Sequence, residues 1–436
     1  MLNWNTISDH DDYNDERFTL LKLLEGSTTK PYVDGVGDPT IGIGFNLVYN
    51  LEPVLRVIIG NKNWSDTLYA RLDAQIDKSY SSGQNATLIA NLDRVMADWH
   101  DNRDSDVPST FRFRSDAQIA KALDLLAPKY DAYVDNWIAD IPESSERAAL
   151  FSLAWNGPSL LGPKLKAAVE SGDRAEAWYE IRYNSNGIAL AGIANRRYVE
   201  ADLLSLYDSD VKASYSEALK AGQMLATHHQ SVLAYEAKYD PLTAASIKGV
   251  ETIGTIVSEL QPAITAVLEK FDLPAKRHVE EILAADTGIA DISGDGTGYD
   301  TSKNDDDLLL GDRAANTLSG GNGKDILIGL KGKDILSGGS GADLFVFTTA
   351  IDSPASGGID LVKDFQMGDQ LVLRSTVELQ LLEDRDADFT GAEGEIRWFW
   401  DGGKTMVEAD YDGDRNADLA FALTGKVRLS EGDFLL

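Results

Sequence analysis

The chain has 436 residues, is 43% hydrophobic and contains no cysteine, so it has length for two or three domains with cores of their own and nothing for a disulfide or a thiolate metal site. Its formal net charge of −31 argues against nucleic acid or an anionic membrane as partner, since both call for a cationic face; a cation such as calcium is the natural partner instead. "MLNWNTISDHDDYNDE" lacks the basic stretch and apolar run of a secretory signal, and no run of eighteen apolar residues offers a membrane span.

In chain order, "DERFTLLKLL" carries Phe18, Leu21 and Leu24 at helical spacing, with Leu20 and Leu23 widening the stripe and Gly26 as a stop. A helix over about Asp15 to Leu24 therefore ends next to Glu25. "KPYVDGVGDPTIGIGF" reads as a β-hairpin, opened by Pro31 and Tyr32, turning through Asp34 to Pro39 and returning through Thr40, Ile41 and Ile43. From about 50 to 207 several helices are expected, broken at Pro142, Gly157, Pro158, Gly162 and Pro163, which makes an α+β domain. Trp155 and Trp178 sit among Ala and Leu and are expected in the core, with Tyr32 as a hairpin anchor.

Residues 208–286 turn Ala-, Glu- and Lys-rich and read as connecting helices. His228 and His229 invite a zinc reading, but successive helical positions point about 100° apart and no third ligand is evident, so a plain helix surface is expected. After Asp286 the composition shifts to Gly, Asp and Asn, and a period of nine appears: "SKNDDDLLL", "GDRAANTLS", "GGNGKDILI", "GLKGKDILS" and "GGSGADLFV". The sixth position holds Asp307, Asn316, Asp325, Asp334 and Asp343; the eighth holds Leu309, Leu318, Leu327, Leu336 and Phe345. Each unit joins a glycine turn to a short strand, with Gly321, Gly323, Gly332, Gly339 and Gly341 permitting positive φ and the eighth side chain filling an apolar interior. Stacked aspartates repel, so the units need a cation between turns. Carboxylate and carbonyl oxygens without His or Cys select a hard ion, hence several structural Ca2+.

These units resemble the hemolysin-type calcium-binding repeats of the RTX family, with Leu330 replacing a glycine in the fourth unit and several glycines missing from the first two. The following stretch and "YDGDRNADLAFALTGKVRLSEGDFLL" resemble the C-terminal module of serralysin-type exported proteases, a β-roll leading into a β-sandwich. That resemblance implies that Asp433, Phe434, Leu435 and Leu436 belong to an uncleaved signal for the type I secretion machinery of a Gram-negative bacterium. An extracellular protein that folds on meeting calcium outside is then expected. No HExxH zinc motif occurs, so the protease itself is absent.

At the other end, Glu25, Gly26, Tyr32, Asp34, Gly37, Thr40, Ile41, Gly42 and Gly44 resemble in type and spacing the active-site signature of phage-type lysozymes, glycoside hydrolase family 24. The resemblance implies Glu25 as general acid, Asp34 and Thr40 holding the attacking water, and Arg196 of "ANRRYVEADLL" orienting the glutamate. "RAALFSLAWN" resembles that family's central buried helix. Phe45 stands where many members have His, and the region from about Asn46 to Phe111 is longer than the smallest members need. The chain thus reads as multidomain: an α+β lysozyme-like domain (1–207), a helical connector (208–286) and a C-terminal parallel β-roll with β-sandwich (287–436). The expected function is hydrolysis of the β-1,4 bond between N-acetylmuramic acid and N-acetylglucosamine in peptidoglycan. The rival is a calcium-dependent matrix or surface-layer protein whose lysozyme-like domain binds glycan without cutting it.

Overall fold

A computed structural model describes residues 1–187, 190–209, 212–239, 253–274, 278–286, 289, 291–294 and 305–436; Ser302 to Asn304 of the first nonapeptide lie outside the described residues. The first helix, α1 (His10–Glu25), starts five residues before the expected Asp15, because Asp9 caps it by accepting from the Asp11 and Asp12 backbone N–H groups. It stops at Gly26, whose φ of 72° no ordinary helix continues through. The hairpin follows as a three-stranded antiparallel sheet, β1 (Thr28–Val33), β2 (Pro39–Gly42) and β3 (Phe45–Asn46), with Tyr32 opposite Thr40. Gly37 is required at its tip: φ is 101°, and a Cβ would sit 2.7 Å from the Tyr80 carbonyl oxygen.

Helices α2 (Leu47–Ile59), α3 (Asp66–Ile76), α4 (Asn85–Asn102) and α5 (Asp116–Trp137) close one apolar core with this sheet, around Ile41, Phe45, Leu55, Leu92 and Phe113. A second core gathers α6 (Ser145–Asn156), α7 (Pro163–Ser171), α8 (Arg174–Arg182) and α9 (Ala191–Leu204). Neighbouring residues of α1 serve both, Leu20 the second and Leu21 the first. In α6 every side chain from Glu146 to Ala154 is buried, so the segment is a central helix without a solvent face. Trp178 is buried, whereas Trp155 is half-buried, its ring edge-on to Phe45 at 6.0 Å. Phe45 itself is fully buried against Phe113 and Trp155.

The connector is not a loose tether. Its long helix α10 (Tyr215–Tyr239) packs on α8 and on the first strand of the C-terminal sheets, β4 (Glu281–Ala284), with α11 (Ile256–Glu259) and α12 (Gln261–Lys270) beside it. Gly222, inside α10, lets that strand approach: a Cβ there would lie 2.9 Å from the Ala284 Cβ. The sequence boundary at 286 therefore falls after β4, which pairs in parallel with a roll strand; "EILA" lacks the Gly and Asp signals that mark the later units. The two histidines are not a plain helix surface either. His228 lies 2.9 Å from Glu176 of α8 and stacks on Tyr179, while His229 lies 2.8 Å from the buried Glu281 of β4. Their different headings, which exclude a shared metal, let adjacent residues clamp two different elements. Beside them the fully buried Arg182 faces Glu236 of α10 and lies over the Trp178 and Tyr198 rings, 4.7 Å from each centroid. One continuous apolar interior runs from Leu2 through α10 to Phe434.

The C-terminal region is two facing sheets wound by alternating strands: β5 (Asp291–Ser293), β6 (Asp307–Leu310), β7 (Thr317–Gly323), β8 (Ile326–Ile328), β9 (Ile335–Gly341), β10 (Leu344–Phe347), β11 (Asp360–Val362) and β12 (Gln370–Leu373). Leu308 pairs in parallel with Ile326 and Ile326 with Leu344, while Thr317 pairs with Ile335. Two nonapeptides thus make one coil, and all five eighth-position side chains are fully buried between the sheets. A mixed extension follows through β13 (Gln380–Leu381), β14 (Glu395–Asp401), β15 (Lys404–Asp410) and β16 (Leu419–Thr424), the last three antiparallel; β17 (Phe434–Leu435) pairs with β12. Among the described residues no helix is long and apolar enough to cross a membrane.

Candidate active site and carboxylate ladder

Glu25 stands at the last residue of α1, its side chain 28% exposed. Its Oε1 accepts from Arg196 Nη1 of α9, 171 residues along the chain, and its Oε2 faces Gly44, where a Cβ would sit 3.8 Å away. Arg196 is itself buried and anchored from behind: Nε donates to Glu200 Oε1 at 2.9 Å, and Nη2 to the Ser152 carbonyl and hydroxyl oxygens at 3.1 and 3.0 Å. The predicted arginine and glutamate are thus brought together.

The hairpin supplies the second acid. Asp34 Oδ1 accepts from the Val36 and Asp38 N–H groups at 2.9 and 2.8 Å, which fixes the carboxylate in the turn, and Asp34 N–H reaches back to the Asp38 carbonyl at 3.0 Å. Thr40 is 3% exposed, and its hydroxyl donates to the Asp38 carbonyl oxygen at 3.1 Å. Asp38, tied to Asn46 Nδ2 at 2.8 Å, is a further acid of this turn that spacing did not single out. The Tyr32 phenol is pushed up by burial and then by the charges of Glu25 and Asp34, so both carboxylates lie within electrostatic reach of one ring. A cavity of ≈ 900 Å3 lies elsewhere, against Asp15, Thr19, Leu20, Leu23, Val199 and Leu203.

In the roll the sixth-position carboxylates form a ladder. Asp325 Oδ1 accepts from the Asp307 N–H at 2.9 Å, Asp343 Oδ1 from Asp325 N–H at 2.9 Å and Asp334 Oδ1 from Asn316 N–H at 2.8 Å, each eighteen residues back. The other oxygen of each aspartate turns toward the first glycine of its own unit; at Gly329 a Cβ would come within 2.6 Å of Asp334 Oδ2. Along the stack, Gly323, Gly332, Gly339 and Gly341 have positive φ, and a Cβ on any of them would overlap a carbonyl oxygen of the coil before. Gly321 also has positive φ, at 103°, whereas Leu330, in the glycine position of its unit, takes φ 61° at a steric cost. Asp334 is fully buried, and its Oδ2 makes no hydrogen bond. Burial pushes its carboxyl up to about 7, and burial together with Asp334 and Asp352 pushes Asp360 up to about 8. An orphaned buried carboxylate oxygen, packed carbonyls and an oxygen-only donor set fit a hard cation held by Asp307, Asn316, Asp325, Asp334, Asp343 and the turn carbonyls.

Two rungs lie beyond the repeats. Asp360 Oδ1 accepts from Asp334 N–H at 2.7 Å and Asp369 Oδ1 from Asp343 N–H at 3.0 Å, each twenty-six residues on. The signal was present, since in both an aspartate precedes an apolar residue by two, Val362 and Leu371. A separate loop brings one carboxylate oxygen each of Asp410, Asp412 and Asp418 within 4.8 Å of one another.

Parallel coils with a carboxylate ladder define a repeat-built C-terminal region. Residues 313–436 match the family model described as peptidase M10 serralysin C terminal, so this part of the chain is similar to a serralysin-type C-terminal segment. Among solved structures, the AlgE6R3 subunit of the Azotobacter vinelandii mannuronan C5-epimerase is similar at 26% identity over 30% of this chain and 77% of that one, with a TM-score of 0.17. No curated protein matches the chain.

Proposed function

We propose that the N-terminal half is a muramidase that hydrolyses the β-1,4 bond between N-acetylmuramic acid and N-acetylglucosamine in peptidoglycan, carried by a C-terminal half that binds Ca2+ and directs type I export to the extracellular medium. The observation that supports the catalytic reading most is the partly exposed Glu25 at a helix end, held by Arg196, with Asp34 fixed in the hairpin turn that follows. In this reading Glu25 protonates the leaving glycosidic oxygen. Asp34, fixed in its turn by two backbone N–H groups, polarises a water for attack on the opposite face, with Thr40 bracing the turn through the Asp38 carbonyl. Inversion at the anomeric carbon follows if one water separates the two carboxyls.

Calcium enters through the ladder. Sites of extracellular type bind with Kd of roughly 10⁻⁴ to 10⁻³ M, so they fill outside a cell and stay empty within it. A ligand that binds only the folded state then stabilises the roll where the ion is abundant. The test of the catalytic half is clearing of a peptidoglycan suspension by the calcium-loaded protein and by Glu25→Gln. Clearing by the wild type and at least a hundredfold loss in the variant is expected. Equal inertness, with both proteins still bound to the glycan, rejects the hydrolase and leaves a glycan-binding matrix protein.

A further inference from the structure

The site holds a contradiction. A general acid has to meet its substrate protonated, yet Glu25 touches a guanidinium, and an adjacent positive charge favours the ionised carboxylate. The resolution lies one helical turn further along α9. Glu200 is fully buried, and Oε1 accepts from both Arg196 Nε at 2.9 Å and the Ser152 hydroxyl at 2.5 Å. Its Oε2 accepts from Arg197 Nη1, and Arg197 is in turn fixed by Asn156 Oδ1 at 2.5 Å and the Ser185 carbonyl at 3.1 Å.

Resting on the muramidase reading, we propose that Glu200 is a positioning residue: it neutralises Arg196 so that the arginine holds Glu25 in place without stripping it of its proton. Burial works against the Arg196 charge, and Glu200 and Glu25 together more than restore it, so the arginine is shared between the acid in front of it and the acid behind it. The geometry agrees. Glu200 takes the Nε edge of the guanidinium, Ser152 takes Nη2, and Nη1 is the group turned toward Glu25. On the hairpin, Tyr32 lies within reach of the charges of both Glu25 and Asp34, and Lys22, one turn back on α1, is paired with Asp116 of α5 at 2.7 Å. α6 presents the neutral Ser152. Removing the Glu200 charge exposes Glu25 to Arg196 unshielded; removing the Arg197 charge instead leaves Glu200 wholly to Arg196. The two changes act in opposite directions.

The experiment measures the pH–rate profile of peptidoglycan clearing, and separately the 13C NMR titration of the Glu25 side-chain carboxyl identified with Glu25→Gln. Three variants of the calcium-loaded full chain are compared with the wild type. In Glu200→Gln the high-pH limb and the titration midpoint move down by about one unit or more, with activity at pH 7 falling about tenfold and recovering toward acid. Arg197→Gln moves both up by about half a unit, and Glu200→Asp, which keeps the charge, leaves both near the wild type. If Glu200→Gln does not fold, Arg197→Gln decides alone. Loss of activity uniform across pH, or an unmoved or downward Arg197→Gln profile, overturns the proposal. A wild type that cleaves nothing while the carboxyl midpoint still moves as described sinks the muramidase reading and supports the electrostatic role of Glu200.

Discussion

Replacing Asp334 with asparagine tests the ladder at a rung with no slack. Asp334 is fully buried, and burial raises its carboxyl from 3.8 to about 7. Without a cation the folded chain keeps that proton over a window from about pH 4 to 7 in which the unfolded chain has lost it. The unfolded state then binds fewer protons, so stability falls as pH rises. A shift of roughly three units corresponds to about 4 kcal/mol lost between pH 4 and 8. Asparagine keeps the side-chain oxygen that accepts from Asn316 N–H and removes the titration. In urea denaturation with EGTA, followed by a probe in the roll, the wild type should lose about 4 kcal/mol more than Asp334→Asn across that range. The mutual repulsion of a chain with net charge −31 acts on both proteins alike and cancels in the difference. With millimolar calcium the sign reverses for the wild type, because the cation competes with the same proton and binding strengthens as pH rises. Parallel pH dependences for the two chelated proteins would show that Asp334 bears no such cost, and the account of the ladder as a cation site would be wrong.

Gly341→Ala should lower the stability of the calcium-loaded roll by on the order of 4 kcal/mol, since φ is 149° and a Cβ overlaps the Gly323 carbonyl; a loss under about 1 kcal/mol in urea denaturation would contradict the stacking. Arg182→Met removes the buried guanidinium from Glu236, which keeps the neutral Tyr183 hydroxyl and the Ile256 N–H as donors, and should cost about 3 kcal/mol in thermal unfolding, with hydrogen exchange accelerating in both α8 and α10; acceleration confined to α8 would contradict the shared packing.

The period of nine made the roll legible because the interior is regular: burial of Leu309, Leu318, Leu327, Leu336 and Phe345 repeats the pattern that the sequence displays. Regularity also set the limit of that reading. Asp360 and Asp369 continue the ladder after a step of twenty-six residues instead of eighteen, and β4 opens the sheet beneath it with no glycine at all. The hairpin was legible through its turn residues, whereas the start of α1 depended on one capping aspartate ahead of a polar first turn. What the sequence concealed was pairing at a distance. Ser152 and Glu200 are forty-eight residues apart and His229 and Glu281 fifty-two, and a buried polar partner leaves no periodic trace. Arg196 could be named by resemblance and Glu200 stands one turn along the same helix, but that both are buried against Ser152 became visible only when α6 and α9 met.

The helix α10, gripped on one side by α8 and on the other by β4 through Gly222, acts as a splint. The N-terminal half cannot swivel on the roll without tearing open interior on both sides, so its bearing is set when the chain folds. Whatever surface the roll settles against then dictates the direction that Glu25 faces, and reach in such a molecule is a matter of orientation more than of tether length.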